Sequence, residues 1–397
     1  MTDVFVIDAL RTPRGAARDT GALHGVSPME LLGGMLRALQ QRTGVDTEQV
    51  ADGVFGCVTQ TGEQGGNIGK SACLLAGWCP DMSAVTINRY CASGLSAVNW
   101  AAQQARDAHG LAVAGGVEMM SRVPMFGDKV PYYADRAIGS RIGFVPPPWS
   151  SDLVATRHGF SREDCDAYAA LSQARALAAR TRGLARSMVP VLDAQGQLLL
   201  DHDENIRAGN TPDKLATLRP VYEAGANGLD DWGLAREPEL GQIQHVHTAG
   251  NAPCMADGAA AVLIGTADAA ARLGLPVRAR ILAHADACVP LTQTGAVDAT
   301  QKALAKAGLS VADIDLWEVR DSFAAITLHY IRSLGIPLEK FNVNGSSIAL
   351  GHPMGATGAM LVSCLLDEMA ARDLRYGVAA LPGAFGVATA TVFERMR

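Results

Sequence analysis

The sequence predicts an α/β fold: a mostly parallel sheet covered by helices, in two similar halves, with a loop domain inserted in the first. Three observations carry this. Short apolar runs alternate with helical patterns to about residue 120, and the rhythm returns from about Ala249. Strand-to-helix junctions fall at similar places in each half, TINRYCASGL in one and LWEVRDSFAA in the other. Between them, from about 120 to 250, lies proline- and turn-rich sequence of the kind that forms a lid or substrate loop. The implied domains are 1–120 completed by 246–270, then 121–245, then 271–397.

The elements follow in order. Asp3–Leu10 is a strand. Ser27–Arg42 is a helix, with Ser27 as N-cap, Pro28 at the first position and Glu30 at the third. Gly53–Cys57 and Ser83–Ile87 are strands, Gly69–Ala76 and Gly94–Ala108 helices, and Leu111–Ala114 a further strand. Ser161 caps a long helix with acids in its first turn and arginines toward its end, as the helix dipole favours. In the last third, strands are expected at Ala259–Gly265, Arg278–Ala283, Ile314–Val319, Gly377–Leu381 and Val387–Phe393. Helices are expected at Gly295–Ala307, Phe323–Leu334 and Ala356–Arg372.

Composition excludes several classes. With 48% apolar and 19% charged residues over 397, the chain is neither disordered nor fibrous. A net charge of -6, only six lysines and no polybasic tract argue against a nucleic-acid surface. No run approaches ~18 apolar residues, so no membrane span is expected. The N-terminus has no basic and apolar leader pattern. None of the eight cysteines forms a CxxC pair or has zinc spacing, so a reduced, cytoplasmic protein without a metal is expected.

Two residues stand out chemically. Cys91 follows an apolar strand and precedes Ala92-Ser93-Gly94 and a small-residue helix. Unpaired N–H groups and the dipole at a helix N-terminus stabilise a thiolate and can donate to an oxyanion. Position alone leaves a buried structural cysteine as an equal alternative. His352 lies in NVNGSSIALGHPMGATGA, where Gly351 and Pro353 fix a turn that projects the ring from a loop end. A histidine beside a thiolate acts as general base or orienting donor. His245 and His247 are spaced to share one strand face, but no carboxylate or thiol accompanies them at ligand spacing.

Together these motifs resemble the thiolase family. NRYCASGL with AVAGGVEMMSRVPM is similar to the family's nucleophile region, and NVNGSSIALGHPMGATGA to its histidine motif. VIDALRTPRG, TPDKLATLRPVY and HTAGNA–DGAAAVL match as well, so the resemblance spans essentially the whole chain. It implies a five-layered αβαβα fold, an acyl-enzyme on Cys91 and His352 as its activator. It further implies acyl-CoA and coenzyme A as substrate and product, no permanently bound cofactor, and a homodimer or homotetramer. Arg207 in DENIR corresponds to the family arginine that reaches the nucleotide end of CoA; an exposed loop arginine is the alternative.

Three departures qualify that resemblance. The family's second catalytic cysteine is missing: LPGAFGVA (Leu381–Ala388) is shorter, with Pro382 at that turn and Gly383 as the nearest replacement oxyanion donor. The family Asn-Glu-Ala-Phe reads Arg320-Asp321-Ser322-Phe323. Arg320 then either places a cation in the oxyanion hole or pairs with Asp321 or Glu318. Sterol-carrier-type thiolases carry a cysteine where Ser322 stands, so Asp321 and Ser322 become candidates for the α-carbon proton. Finally, Pro146-Pro147 replaces a His-Met pair that flanks the acyl pocket, and Pro253 replaces a serine that touches pantetheine. Beside an acyltransferase, these departures keep open a ketosynthase-like condensing enzyme and a weakly active CoA-binding subunit that needs a small partner.

Overall fold

The computed structural model describes residues 2–183, 186–225 and 228–396. Met1, Leu184, Ala185, Ala226, Asn227 and Arg397, which fall within the expected domains, lie outside the described residues.

The first half contributes β1 (Val4–Arg11), β2 (Val50–Gly56), β3 (Ser83–Ile87), β4 (Leu111–Met119) and β5 (Ala256–Thr266). Their spatial order is β1-β5-β4-β2-β3. The second half contributes β6 (Ala279–Cys288), β7 (Leu316–Val319), β8 (Tyr376–Pro382) and β9 (Val387–Arg395), in the order β6-β9-β8-β7. Phe341 bridges Trp317 in parallel beyond β7, where the first half has β3. Each half therefore repeats one path. The first and fifth strands pair antiparallel, as do the fifth and fourth, while the fourth and second pair in parallel. The halves join where β1 meets β6 through only Phe5↔Arg280 and Val6↔Ala279.

The sheet is thus mixed rather than mostly parallel, and the reason is local. β8 reaches β9 through a short turn at 383–386, and a short turn can only join antiparallel strands. In the first half, the equivalent link between β4 and β5 carries the whole segment 120–255.

Helices fill three layers. α1 (Pro28–Thr43) starts as its sequence requires: Ser27 accepts the Glu30 N–H, Pro28 lies in the first turn, and Gly44 closes the helix at φ 70. With α2 (Ile68–Leu75) it covers one face of the first half's strands, over a core that includes Leu32, Leu36 and Phe55. α3 (Ser93–Asp107) lies between the strands of the two halves, with Val98 and Ala101 in the central core.

The inserted segment holds two helices that matter to the site. α4 (Pro147–His158) begins in the proline run expected as loop. Proline's fixed φ and missing N–H suit a first turn, so the run starts the helix instead of breaking it. α5 (Arg162–Arg182) opens with a reciprocal cap between Ser161 and Asp164.

In the second half, α6 (Gly295–Ala307) and α7 (Ala324–Leu334) cover the outer face above Trp317 and Tyr330. α8 (Met354–Ala371) shares the central core with α3. The result is the αβαβα layering. α8 is long and apolar enough to cross a membrane by length and composition, and 83% of that window is buried.

Candidate active site

The N-termini of α3 and α8 cross backbone on backbone. A Cβ at Gly94 would lie 2.6 Å from the Gly355 carbonyl oxygen, and one at Gly358 would lie 1.9 Å from the Leu95 nitrogen. Gly56 and Gly116, at the ends of β2 and β4, are pressed against the same Gly355 carbonyl. Buried Glu118 completes the junction by accepting the N–H groups of Val58, Thr59 and Gly355. The crossing brings together the turn that carries Cys91 and the loop that carries His352. The two residues stand at equivalent places of the repeated halves, each just ahead of a central helix.

Cys91 is half-buried, immediately before Ala92, the N-cap of α3. Its turn is tight. Tyr90 has φ 49, Ser93 N–H donates to the Tyr90 carbonyl, and the Arg89 N–H donates to Ser93 Oγ. A residue one step ahead of a helix lies beside its unpaired N–H groups, which can donate to an oxyanion formed there.

His352 is buried, and its N–H donates to the Cys254 carbonyl at 2.8 Å. Nδ1 lies 2.7 Å from Thr357 Oγ1, and the Thr357 hydroxyl donates to the Pro353 carbonyl at 3.0 Å. A hydroxyl has one proton to give, so Nδ1 must be the donor to Thr357. Nε2 is then left with a lone pair, buried and without a hydrogen-bond partner among the described residues. Burial pushes the His352 pKa well below the ordinary value, and the Arg320 and Arg14 cations push it further. The ring is a neutral acceptor.

Arg320 is 3% exposed at the end of β7. It forms no ion pair with Asp321 or Glu318; its Nη1 donates to the Pro382 carbonyl at 2.6 Å. Burial lowers its pKa, against the raising influence of Cys91 and Asp321. Gly383 follows at once, and a Cβ there would lie 3.5 Å from the Cys91 nitrogen. Cys91, His352, Arg320 and Gly383 thus belong to one site.

The remaining candidates are placed differently. Asp321 commits one oxygen to the Ile348 N–H at 2.8 Å and the other to Ser172 Oγ at 2.9 Å. It braces the segment that leads to His352, and burial raises its pKa to about 7. Ser322 is buried and donates to Gln293 Oε1 at 2.5 Å, and Gln293 in turn reaches the Pro147 carbonyl at 3.4 Å. Phe323 caps α7 with its ring edge-on to His247 at 5.4 Å. Arg207 is exposed, and its charge partly offsets the burial that raises the Cys254 pKa.

His245 and His247 do have carboxylates, supplied from distant sequence. Asp152 holds His247 Nδ1 at 2.7 Å and His245 Nδ1 at 2.8 Å, and Asp230 takes His245 Nε2 at 3.1 Å. The Ala325 N–H donates to His247 Nε2 at 3.3 Å. Among the described residues, no group of three or more His, Cys, Asp or Glu is arranged to hold a metal ion.

Sequence reasoning missed Thr357, although it lies five residues after His352 in the same motif. It also missed an aromatic cluster of Tyr90, Tyr132, Tyr133, Phe144 and Phe385 beside the thiol. No local pattern signals those rings, because they come from three separated segments.

Comparison with known proteins gives matches across both halves of the chain. The family model "Thiolase, N-terminal domain" matches residues 4–229, and "Thiolase, C-terminal domain" matches 275–395. A 3-ketoacyl-CoA thiolase of Aeromonas hydrophila is 38% identical over 100% of both chains. Proteins of the same name from Pectobacterium carotovorum and Shewanella denitrificans are 39% and 38% identical, again over the full length of each.

Proposed function

The chain belongs to the thiolase family, and from that premise we propose that it is an acyltransferase that moves acyl groups between CoA thioesters through Cys91. The observation that carries this reading is the fixed tautomer of His352, whose bare Nε2 belongs to the same site as a thiol at a helix N-terminus.

In thiolysis, His352 Nε2 takes the Cys91 proton, and the thiolate attacks C3 of a 3-oxoacyl-CoA. The C2–C3 bond breaks, the acyl group stays on sulfur, and the bonding pair remains on C2. Thiolases protonate that carbon with a second cysteine, which this chain lacks. Here the imidazolium is flanked by Arg320 and Arg14, which disfavour its charge. It therefore returns its proton readily to C2, and acetyl-CoA leaves. A CoA thiol then attacks the acyl-enzyme, gives its proton to His352, and Cys91 departs as thiolate and recovers it. Synthesis is the reverse. The Gly383 N–H, expected as a replacement donor, is spent on the Val387 carbonyl at 2.7 Å, so the Cys91 N–H and the Arg320 cation are left to face the developing oxyanion. Asp321 acts here as a positioning residue, and the Ser322 hydroxyl is occupied by Gln293. Arg207 serves the nucleotide end of CoA, supported by its exposure near Cys254. Pro147 and Phe323 bound the site through Gln293 and α7.

A homodimer or homotetramer is the assembly we favour. β3 is the outer strand of the sheet, its own Val85 is 43% exposed, and Trp100 on α3 is 38% exposed. The cytoplasmic reading is supported by eight cysteines that all stand free.

The test is intact mass after exposure to acyl- and 3-oxoacyl-CoA thioesters, wild type beside Cys91→Ala. An acyl adduct present only with Cys91 is the expected result. No adduct from any thioester, with the fold intact, overturns the reading in favour of a CoA-binding subunit.

A further inference from the structure

Tyr90, the residue before the thiol, meets Phe385 with ring centroids 5.4 Å apart. Phe385 meets Phe144 at 5.3 Å and Tyr132 at 5.5 Å, and Tyr132 meets Phe144 at 5.1 Å. The Tyr90 and Tyr132 hydroxyls lie 3.2 Å apart. Phe385 is held at φ 57, a left-handed conformation that non-glycine residues rarely adopt, in the turn that follows Gly383. Such strain persists where surrounding structure holds it, and here the holding structure is the ring cluster.

Behind the rings is a cavity of about 310 Å³, lined by Tyr132, Tyr133, Phe144, Val145, Tyr222 and Trp232 among others. It is large enough for a benzene ring, and Arg136 and Ser140 add polar groups to its wall. Tyr132 and Phe144 belong to both the cluster that Tyr90 joins and the cavity wall, so the residue before the thiol is linked to the cavity by contacting rings.

We propose that the substrates of this chain are 3-oxoacyl-CoA thioesters whose acyl group ends in an aromatic ring, seated against Tyr132 and Phe144 in the cavity that they help to line. The proposal rests on acyl transfer through Cys91. Aromatic rings favour offset or edge-to-face contact at the centroid spacings seen here. A ring also has few torsions to freeze, whereas an alkyl chain of equal length loses more freedom on entering. The reaction is the one described above: with 3-oxo-5-phenylpentanoyl-CoA, Cys91 would keep the 3-phenylpropanoyl group and acetyl-CoA would leave.

The experiment compares 3-oxo-5-phenylpentanoyl-CoA with 3-oxooctanoyl-CoA, by single-turnover acylation of Cys91 and by kcat/KM. The phenyl substrate is expected to be favoured about tenfold or more, and Phe144→Leu to reduce that ratio about tenfold. Trp232→Leu, on the cavity wall, is the second variant, with thermal melting of each as the check on folding. Equal use of the two substrates by wild type, or a ratio unmoved in both folded variants, overturns the aromatic preference and leaves acyl transfer standing. Failure of both thioesters to acylate Cys91 overturns acyl transfer itself, and the preference with it.

Discussion

His352 and Thr357 are bound in one sense only: Nδ1–H donates to a threonine oxygen whose own proton is spent on the Pro353 carbonyl. The base is oriented from within its own motif, with no carboxylate behind the ring. Thr357→Val removes the acceptor and frees the tautomer. Acylation of Cys91 in a single turnover should slow by about 10²-fold, within the range for a mispositioned general base. Thr357→Ser should restore most of it. Equal rates for all three would show that Thr357 only packs.

Arg320 depresses the His352 pKa together with burial and Arg14. Replacing the cation with neutral methionine should raise that pKa toward the ordinary histidine value. Imidazole must be neutral to accept the thiol proton, so the acid limb of the acylation profile should move to higher pH. The check is the acylation rate of Arg320→Met and wild type between pH 4.5 and 8; superimposed acid limbs would refute the assignment.

Asp321 offers a stability test. Its pKa rises from 3.8 to about 7 on folding, with burial as the main cause. Between those values the folded chain holds a proton that the unfolded chain has lost. Stability from this group therefore falls as pH rises from 3.8 to about 7 and is level above. Asp321→Asn does not titrate. Its thermal midpoint should gain on wild type as pH goes from 5 to 7, and the gap should then stop widening. A gap independent of pH would contradict the sign.

His245 donates from both nitrogens, to Asp152 and Asp230, which only the imidazolium can do. Its pKa is raised, chiefly by the Asp152 hydrogen bond. The stabilisation is full below the unfolded value of 6.5 and is lost as pH rises through the folded one. Asp230 also receives Trp149 Nε1 and the Gly225 N–H, so this proton fastens the 228–234 segment to α4. Hydrogen exchange in 228–240 should quicken as pH rises past that point, beyond the intrinsic increase, and His245→Gln should abolish the dependence.

Glycine at the crossing is a steric requirement. Gly358→Ala would put a carbon 1.9 Å from the Leu95 nitrogen, and backbone cannot yield as a side chain can. We expect a loss of ~4 kcal/mol or more, or no folded protein. Gly34→Ala in α1, with nothing within 4 Å, should instead gain about 0.5–1 kcal/mol. Thermal melts of the pair decide it.

Much of the fold was legible because its signals are local. The caps at Ser27 and Ser161 and the span Gly295–Ala307 depend on near neighbours, and the structure reproduces them. Strand direction was not legible, since it depends on which distant strand lies alongside. The repeat of the two halves shows in pairing order, while their residues have diverged past recognition. At the site, Cys91 and His352 stood out because motif and turn chemistry surround each. The bonds of Asp321 to Ser172 and of Asp152 to His245 span 149 and 93 residues, and no spacing rule reaches that far. The proline run at 146–148 misled because it reads as a loop unless it falls on a first turn.

The glycine crossing has a consequence for how this sequence can vary. Where helices meet through side chains, their separation drifts as those side chains change size. Here main chain rests on main chain, and its dimensions are the same in every protein. The span between sulfur and imidazole is therefore insulated from mutation elsewhere in the core. A chain built this way can replace most of its interior, and even discard a second cysteine, while its two reacting groups keep their spacing.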